Sequence, residues 1–271
     1  MPSSPQPEGE VIPPNPSADP ASRTIPQAEP RSRGRSVFSA PGTYFLVGIN
    51  CAVFLWMVLH GVSPSDPTTE QLIHFGATNT FLILHGQWYR LLTATFVHVG
   101  LIHIATNMWC LWNLGLLGEP LLGPLGMIAV YVLTGIAGNL LSLGYNIIRH
   151  DYISVGAGAS GAVFGIAGIL IVLLSNHKLP VPAFERIRLR RSVIQFALLN
   201  LVIGLGTVFL PVIRIDNNAH LGGFLFGLAL GVPLVPRMTS GRARYLERQK
   251  LTFAGAAFFL ALFGYFVANL R

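Results

Sequence analysis

Seven long apolar runs are the feature of this sequence that most restricts how the chain can fold. They cover approximately residues 44–60, 97–117, 124–147, 160–176, 193–210, 218–236 and 252–270. Each has about 17–24 residues, close to the ~20 that a helix needs to cross ~30 Å of hydrocarbon. Only helices and closed barrels satisfy their backbone in lipid, and these continuous runs lack the alternation of barrel strands. The sequence therefore predicts an all-α, polytopic membrane protein with seven transmembrane helices.

Composition and charge support a membrane-embedded chain. Charged residues make up 11% of the sequence, whereas a soluble domain carries about 25%. A pI of about 9.9 does not indicate a nucleic-acid partner here, because the basic residues fall between the apolar runs. Most of the 18 Lys and Arg residues lie before the first run, between the fourth and fifth, or between the sixth and seventh. Since basic loops stay cytoplasmic, we expect the N-terminus in the cytoplasm and the C-terminus outside.

The first 40 residues differ in composition from the rest of the chain. They are rich in Pro, Ser, Glu and Arg and contain few large apolar side chains. Such a segment cannot bury enough apolar surface to fold, so residues 1–40 are expected to form a disordered cytoplasmic tail. The tail lacks the apolar region of a signal peptide, and its acidic residues disfavour a mitochondrial transit peptide. A bacterial plasma membrane is the preferred localisation.

Five polar side chains interrupt the apolar runs at one depth. His98, His103 and Asn107 lie in the first turns of the second predicted helix, Ser160 starts the fourth and His220 is in the first turn of the sixth. All three helices run inward from the external side, so the five residues converge on the outer half of the bundle. Polar groups in hydrocarbon are costly and usually functional. This convergence indicates a polar site within the membrane.

The residue types at this site suit acyl transfer. A serine hydroxyl becomes a nucleophile when a neutral imidazole takes its proton, so we predict a dyad of Ser160 and His220. All carboxylates lie outside the apolar runs, and Asp216 is expected in an external loop. Phe164, one turn after Ser160, can stack on the imidazole or simply fill the core. His103 and Asn107 share a face and, with the Ser160 backbone amide, are candidate donors to an oxyanion.

Small residues predict how the helices pack. Gly158 and Gly161 flank Ser160, and Gly223 and Gly227 follow His220 at helical spacing. Glycine faces let helices approach closely in lipid, and such an approach would make Ser160 and His220 neighbours. The alternative is that these glycines serve packing alone.

The sequence lacks the residues that two other kinds of intramembrane protease require. A zinc intramembrane protease needs a His-Glu-x-x-His helix, and an aspartyl one needs two Asp residues in apolar helices. The sequence contains neither. We therefore expect no metal and no cofactor.

Three motifs resemble those of the rhomboid family of intramembrane serine proteases. Gly158-Ala159-Ser160-Gly161 resembles the family's Gly-x-Ser-Gly nucleophile motif. His98-x4-His103-x3-Asn107 resembles its second-helix signature, and Ala219-His220-x-Gly222-Gly223 with Gly227 resembles its sixth-helix base motif. Together, on the second, fourth and sixth helices, they are highly specific. The resemblance covers about residues 41–236.

The resemblance implies a fold and an activity. It implies a six-helix catalytic core at 41–236, with 237–271 as a cytoplasmic loop and a seventh helix. Ser160 would be the nucleophile and His220 the base, and the substrates would be transmembrane proteins cleaved near the external membrane face. Trp88 and Arg90 lie in the long, apolar loop 61–96, which is expected in the membrane interface, and resemble the family's Trp-Arg pair, although Tyr89 separates them.

Two other functions are compatible with parts of the pattern. A catalytically silent relative would bind transmembrane helices without cutting them, and the presence of both Ser160 and His220 argues against it. A transporter or proton pathway could use His98, His103 and His220, but would also need ionisable groups through the inner half of the membrane. The sequence carries no indication of oligomeric state.

Overall fold

The computed structural model describes residues 40–177, 179, 181–206, 215–235 and 241–269. The helices are α1 (Pro41–Leu59), α2 (Thr69–His74), α3 (Thr80–Leu84), α4 (Arg90–Thr93), α5 (Leu101–Leu122), α6 (Pro124–Ile148), α7 (Ser160–Ser175), α8 (Ala183–Gly206), α9 (Asn217–Leu234) and α10 (Arg242–Ala268). Two short strands, β1 (Thr78–Asn79) and β2 (Val155–Gly156), pair in antiparallel fashion. The predicted tail, apart from Ala40, lies outside the described residues, as do Lys178, Arg214, Arg237 and Arg271.

The long helices agree with the all-α prediction. In the described ranges α1, α5, α6, α7, α8, α9 and α10 each overlap one of the seven apolar runs. Among the described residues, α1, α6 and α10 are long and apolar enough to cross a membrane, and α7 is a shorter apolar helix. Gly123 separates α5 from α6 with φ of 75°, a conformation that glycine adopts without strain. Pro124 then starts α6, where its missing N–H costs no hydrogen bond.

Helix α7 forms the centre of the bundle. Twelve of its 16 residues are buried, as expected for a helix that is apolar on every side. Its most extensive packing is against α9, followed by α6 and α8. A Cβ built on Gly223 would overlap the backbone of Gly161, and one on Gly227 would overlap that of Gly165. The glycine faces of the two helices therefore meet backbone to backbone.

Glu119 departs from the expectation that every carboxylate lies outside the membrane helices. Helix α5 extends to Leu122, beyond the predicted end at 117, and Glu119 is only 2% exposed within it. Its carboxylate accepts hydrogen bonds from Gly42 N (2.8 Å), Thr43 N (2.7 Å) and Thr43 Oγ1 (2.7 Å). These donors belong to the first turn of α1, whose amides have no partner within their own helix. Burial of the charge is thus compensated by a helix N-terminus.

Helices α8 and α10 begin about ten residues before their apolar runs. Basic side chains near the start of both helices bind carbonyl groups at the ends of other helices. Arg186 Nη1 donates to Leu174 O of α7 at 3.0 Å, and Arg248 Nη2 donates to Val235 O after α9 at 2.7 Å. Cations at helix C-termini satisfy the last carbonyls and oppose the helix dipole. Part of the expected cytoplasmic loop before the seventh apolar run is therefore helix.

Candidate active site

Ser160 is the first residue of α7 and follows a strand and a tight turn. Strand β2 pairs Gly156 with Thr78 of the loop 61–96, and Gly158 N then donates to Ala94 O at 2.9 Å. Gly158 has φ of 131°, which only glycine adopts without strain. The backbone amide of Ser160 thus lies at a helix N-terminus, where amides have no intrahelical acceptor.

Gly158 was predicted to take part in helix packing, but the structure places it outside the helices. It lies in the turn before α7 and takes no part in helix–helix packing. A Cβ at this position would stand 2.7 Å from His103 Cε1 and 2.9 Å from His103 Nε2. The missing side chain lets the His103 ring approach the backbone that leads into Ser160.

His220 lies in the first turn of α9 and is 6% exposed. Its imidazole stacks on the ring of Phe164, with centroids 4.4 Å apart and planes inclined by 15°. The buried Nδ1 atom has no hydrogen-bond partner among the described residues. The orientation of the ring therefore comes from aromatic packing and from the helix that carries it.

The close approach of α7 and α9 brings Ser160 and His220 to one level. A Cβ on Gly161 would stand 3.3 Å from Ala219 O, so the residues after Ser160 and before His220 are in contact. Phe164, one turn along α7 from Ser160, is the residue on which His220 stacks. Among the described residues, Nδ1 of His220 makes no hydrogen bond to the Ser160 hydroxyl. Catalytic hydrogen bonds are often long without substrate and shorten when it binds.

His103 and Asn107 of α5 face the turn before Ser160. His103 Nδ1 accepts from Val99 N at 3.2 Å, so the proton of a neutral ring resides on Nε2, the atom beside Gly158. Asn107 Nδ2 donates to His103 O at 3.0 Å and lies 3.8 Å from the position of a Gly158 Cβ. Two N–H donors from α5 thus point toward the backbone that precedes the nucleophile.

The sequence predicted His98 in the first turns of a helix. The structure places it in the loop before α5. Gly100, with φ of 88°, separates it from the helix. The ring is buried, and its Nε2 accepts from Ala159 N at 3.3 Å while Nδ1 faces Phe96 O at 3.2 Å. His98 therefore supports the residue directly before Ser160 and does not face the His220 ring.

Trp88 and Arg90 occupy positions unlike those of exposed interface anchors. Arg90 is 6% exposed, and its Nη1 donates to Ile73 O at 2.7 Å and Ala77 O at 2.9 Å. It holds the loop 61–96 together from inside. Trp88 is half-buried and lines an apolar cavity of about 850 Å³ between this loop, α6 and α10. Neither residue contacts the Ser160 or His220 side chain.

Asp216, which was expected in an external loop, directly precedes α9 and is its N-cap. Its carboxylate accepts from Asn218 N and Ala219 N and from the hydroxyl of Ser142 on α6. The sequence could have predicted this role, because Asp is a preferred N-cap residue and Asp216 directly precedes the first residue of α9. The described residues contain no group of three His, Cys, Asp or Glu side chains arranged to hold a metal ion.

Comparison with known proteins gives one consistent answer. The family model of the rhomboid domain matches residues 85–237. Rhomboid protease GluP of Bacillus subtilis (strain 168) is 34% identical over 220 residues, which cover 78% of this chain and 40% of that protein. Rhomboid protease AarA of Providencia stuartii is 30% identical over 205 residues, 71% of this chain and 72% of that protein. RHOMBOID-like protein 5 of Arabidopsis thaliana is 33% identical over 181 residues, 66% of this chain and 54% of that protein.

Proposed function

Because the chain belongs to the rhomboid family and is an integral membrane protein, we propose that it is an intramembrane serine endopeptidase that cleaves transmembrane proteins near the external membrane face. Two of the relatives are named as rhomboid proteases. The aligned region spans 40% of one and 72% of the other, so the activity of this chain is a proposal that rests also on the geometry of its own site. The observation that carries the proposal is the contact between α7 and α9, in which Gly161, next to Ser160, lies against Ala219, and Phe164 stacks on His220.

The proposed reaction uses Ser160 and His220 as a dyad. The Ser160 oxygen attacks the carbonyl carbon of the scissile peptide while His220 takes the hydroxyl proton. The tetrahedral intermediate collapses, the C–N bond breaks and His220 delivers its proton to the leaving amine. Water then attacks the acyl-enzyme with His220 again as base, releasing the second product and restoring the serine hydroxyl. A third, carboxylate member is not required, which agrees with the absence of a partner on Nδ1 among the described residues.

The oxyanion of the intermediate needs preorganised donors. We assign this role to the Ser160 amide, His103 Nε2–H and the Asn107 amide, which lie around the turn at Gly158. Donors of this kind contribute most in a low-dielectric site, and each is typically worth about 10²–10³ in kcat. His98 supports the turn through Ala159 N and has no direct chemical role.

The proposed topology places six helices in the catalytic core at 41–236 and one after it. The seven helices that overlap the apolar runs would all span the membrane, with α8 tilted or its ends in the interface. The basic segments beside α8 and α10 favour a cytoplasmic N-terminus and an external C-terminus. Ser160, His98 and Asp216 would then face the external side. A bacterial plasma membrane remains the preferred location.

The alternative is a catalytically silent relative that binds transmembrane helices. It would keep the apolar bundle but would not need an imidazole stacked one turn from a serine at a helix N-terminus. The observed stacking of His220 on Phe164 favours the protease.

The deciding experiment is labelling of the purified protein with a fluorophosphonate serine probe, followed by cleavage of a model transmembrane substrate in liposomes. We expect labelling and cleavage by the wild type and neither by Ser160→Ala or His220→Ala. The thermal unfolding midpoints of both variants should stay close to that of the wild type. A folded wild type that neither reacts with the probe nor cleaves any of a panel of substrate helices would support the silent relative.

A further inference from the structure

The carboxylate of Asp216 links α9 to α6 beside the active site. Oδ1 accepts from Asn218 N at 3.1 Å and Ala219 N at 3.0 Å, and so caps α9. Oδ2 accepts from Ser142 Oγ of α6 at 2.5 Å. The same oxygen lies 3.5 Å from the position of a Cβ on Gly156, in the strand that leads into the nucleophile turn. One side chain thus binds the helix of the base and a neighbouring helix, and it lies near the strand that leads to the nucleophile.

The orientation of His220 depends on the first turn of α9. Its backbone N–H donates to Asp216 O at 3.2 Å, the first hydrogen bond of the helix. Its ring is fixed by stacking on Phe164, and Nδ1 has no hydrogen-bond partner in the described ranges. A histidine without an orienting acceptor takes its direction from the backbone that bears it. A shift in the first turn of α9 would therefore move the imidazole relative to Ser160.

We propose that Asp216 is a positioning residue, which sets the place of His220 relative to Ser160 by fixing the first turn of α9 against α6. The inference rests on the proposed protease function. Asp216 is not a third member of a triad, because Oδ1 binds the helix amides, Oδ2 binds Ser142, and neither oxygen bonds the imidazole. Its effect on catalysis is geometric, and misplacement of a catalytic group by about 1 Å can cost on the order of 10²-fold in rate.

Four variants separate the two contacts of the carboxylate. Asp216→Ala removes both, and Asp216→Asn keeps the length and an accepting oxygen. Asp216→Ser keeps a capping oxygen but is too short to reach α6, whereas Ser142→Ala leaves the cap and removes the link to α6. Thr68→Ala is the matched control, because Thr68 caps α2 through a similar bond from Gln71 N, and α2 carries none of the proposed active-site residues.

The first measurement is kcat and KM for a model transmembrane substrate, with the rate of labelling by the fluorophosphonate probe. For Asp216→Ala we expect kcat and the labelling rate to fall by about 10- to 100-fold, with KM within about twofold of the wild type. Asp216→Ser and Ser142→Ala should be intermediate, and Asp216→Asn should recover most of the activity. Thr68→Ala should match the wild type. A loss of kcat equal in Thr68→Ala and Asp216→Ala, or a change confined to KM, would overturn the proposal.

The second measurement does not depend on activity. The Hε1 resonance of His220, observed in protein with ¹³C-labelled histidine and assigned through His220→Ala, carries a ring-current shift from Phe164. We expect this shift to shrink in Asp216→Ala and to persist in Thr68→Ala and Asp216→Asn. An unchanged shift in Asp216→Ala would refute the positioning role. If the wild type shows no labelling while the shift still depends on Asp216, the protease function fails and the positioning role stands.

Discussion

The imidazole of His220 and the ring of Phe164 stack with centroids 4.4 Å apart across the contact between α9 and α7. The two residues are 56 positions apart in the chain. His220 lies in the first turn of α9, and Phe164 lies just after the first turn of α7. The stacked ring is the contact that orients His220 on the side of Ser160, since Nδ1 finds no acceptor among the described residues.

Replacing Phe164 should therefore impair catalysis through the histidine. Aromatic pairs contribute about 0.5–1.5 kcal/mol beyond burial, so Phe164→Ala should lower kcat by about 3- to 10-fold or more as the ring becomes mobile. Phe164→Tyr keeps the stacking face and should retain most activity. Steady-state kinetics would measure both, with Phe258→Ala on the exposed face of α10 as control. Equal kinetics for Phe164→Ala and the wild type would mean that the ring only fills the core.

Asn107→Ala should lower turnover more than substrate binding. The amide faces the turn before Ser160, and loss of one oxyanion donor typically costs about 10²–10³ in kcat. Asn113→Ala is a close control, because Asn113 lies on the same helix and makes the same bond to the carbonyl four residues back, Trp109 O at 2.7 Å. It is exposed and away from the site. A defect of Asn107→Ala seen only in KM would remove Asn107 from the oxyanion site.

Gly227→Ala should destabilise the bundle and displace the active site. The added Cβ would overlap the backbone of Gly165, so α7 and α9 would have to separate. Overpacking of this kind costs about 1–3 kcal/mol. The thermal midpoint in detergent should fall, whereas Gly255→Ala, where a Cβ meets nothing within 4 Å, should leave it unchanged or raise it. Similar midpoints for the two variants would contradict the tight contact.

Glu119→Gln should reduce stability without altering the chemistry of Ser160. A carboxamide has one accepting oxygen, so one of the donors from Gly42 and Thr43 would lose its partner at a cost of about 1–3 kcal/mol. We expect a lower thermal midpoint and near-normal kcat for the folded fraction. Glu247→Gln on the exposed face of α10 serves as control and should behave as the wild type. An unaltered midpoint in Glu119→Gln would show that the buried contact adds nothing to stability.

Much of this protein could be predicted from local sequence pattern. Apolar runs of about 20 residues predict long helices because lipid leaves the backbone no other partners. The glycines around Ser160 and after His220 predicted a close approach, and the order of the three motifs indicated the family. Each of these features is encoded within a few turns of chain, so it is visible without the fold.

The tertiary structure decided which polar residues have partners. Glu119 appeared to be a loop carboxylate because its donors lie 76 and 77 residues away at the start of α1. The sequence placed Arg90 and Asp216 in external loops, and only the fold shows that Arg90 binds the carbonyl of Ile73 and that Asp216 accepts from Ser142. The burial of a charge depends on donors brought together from distant segments, and periodicity along one segment carries no information about them. For this reason the sequence determined the helices and the residue types of the site, while only the packed fold decided what holds them in place.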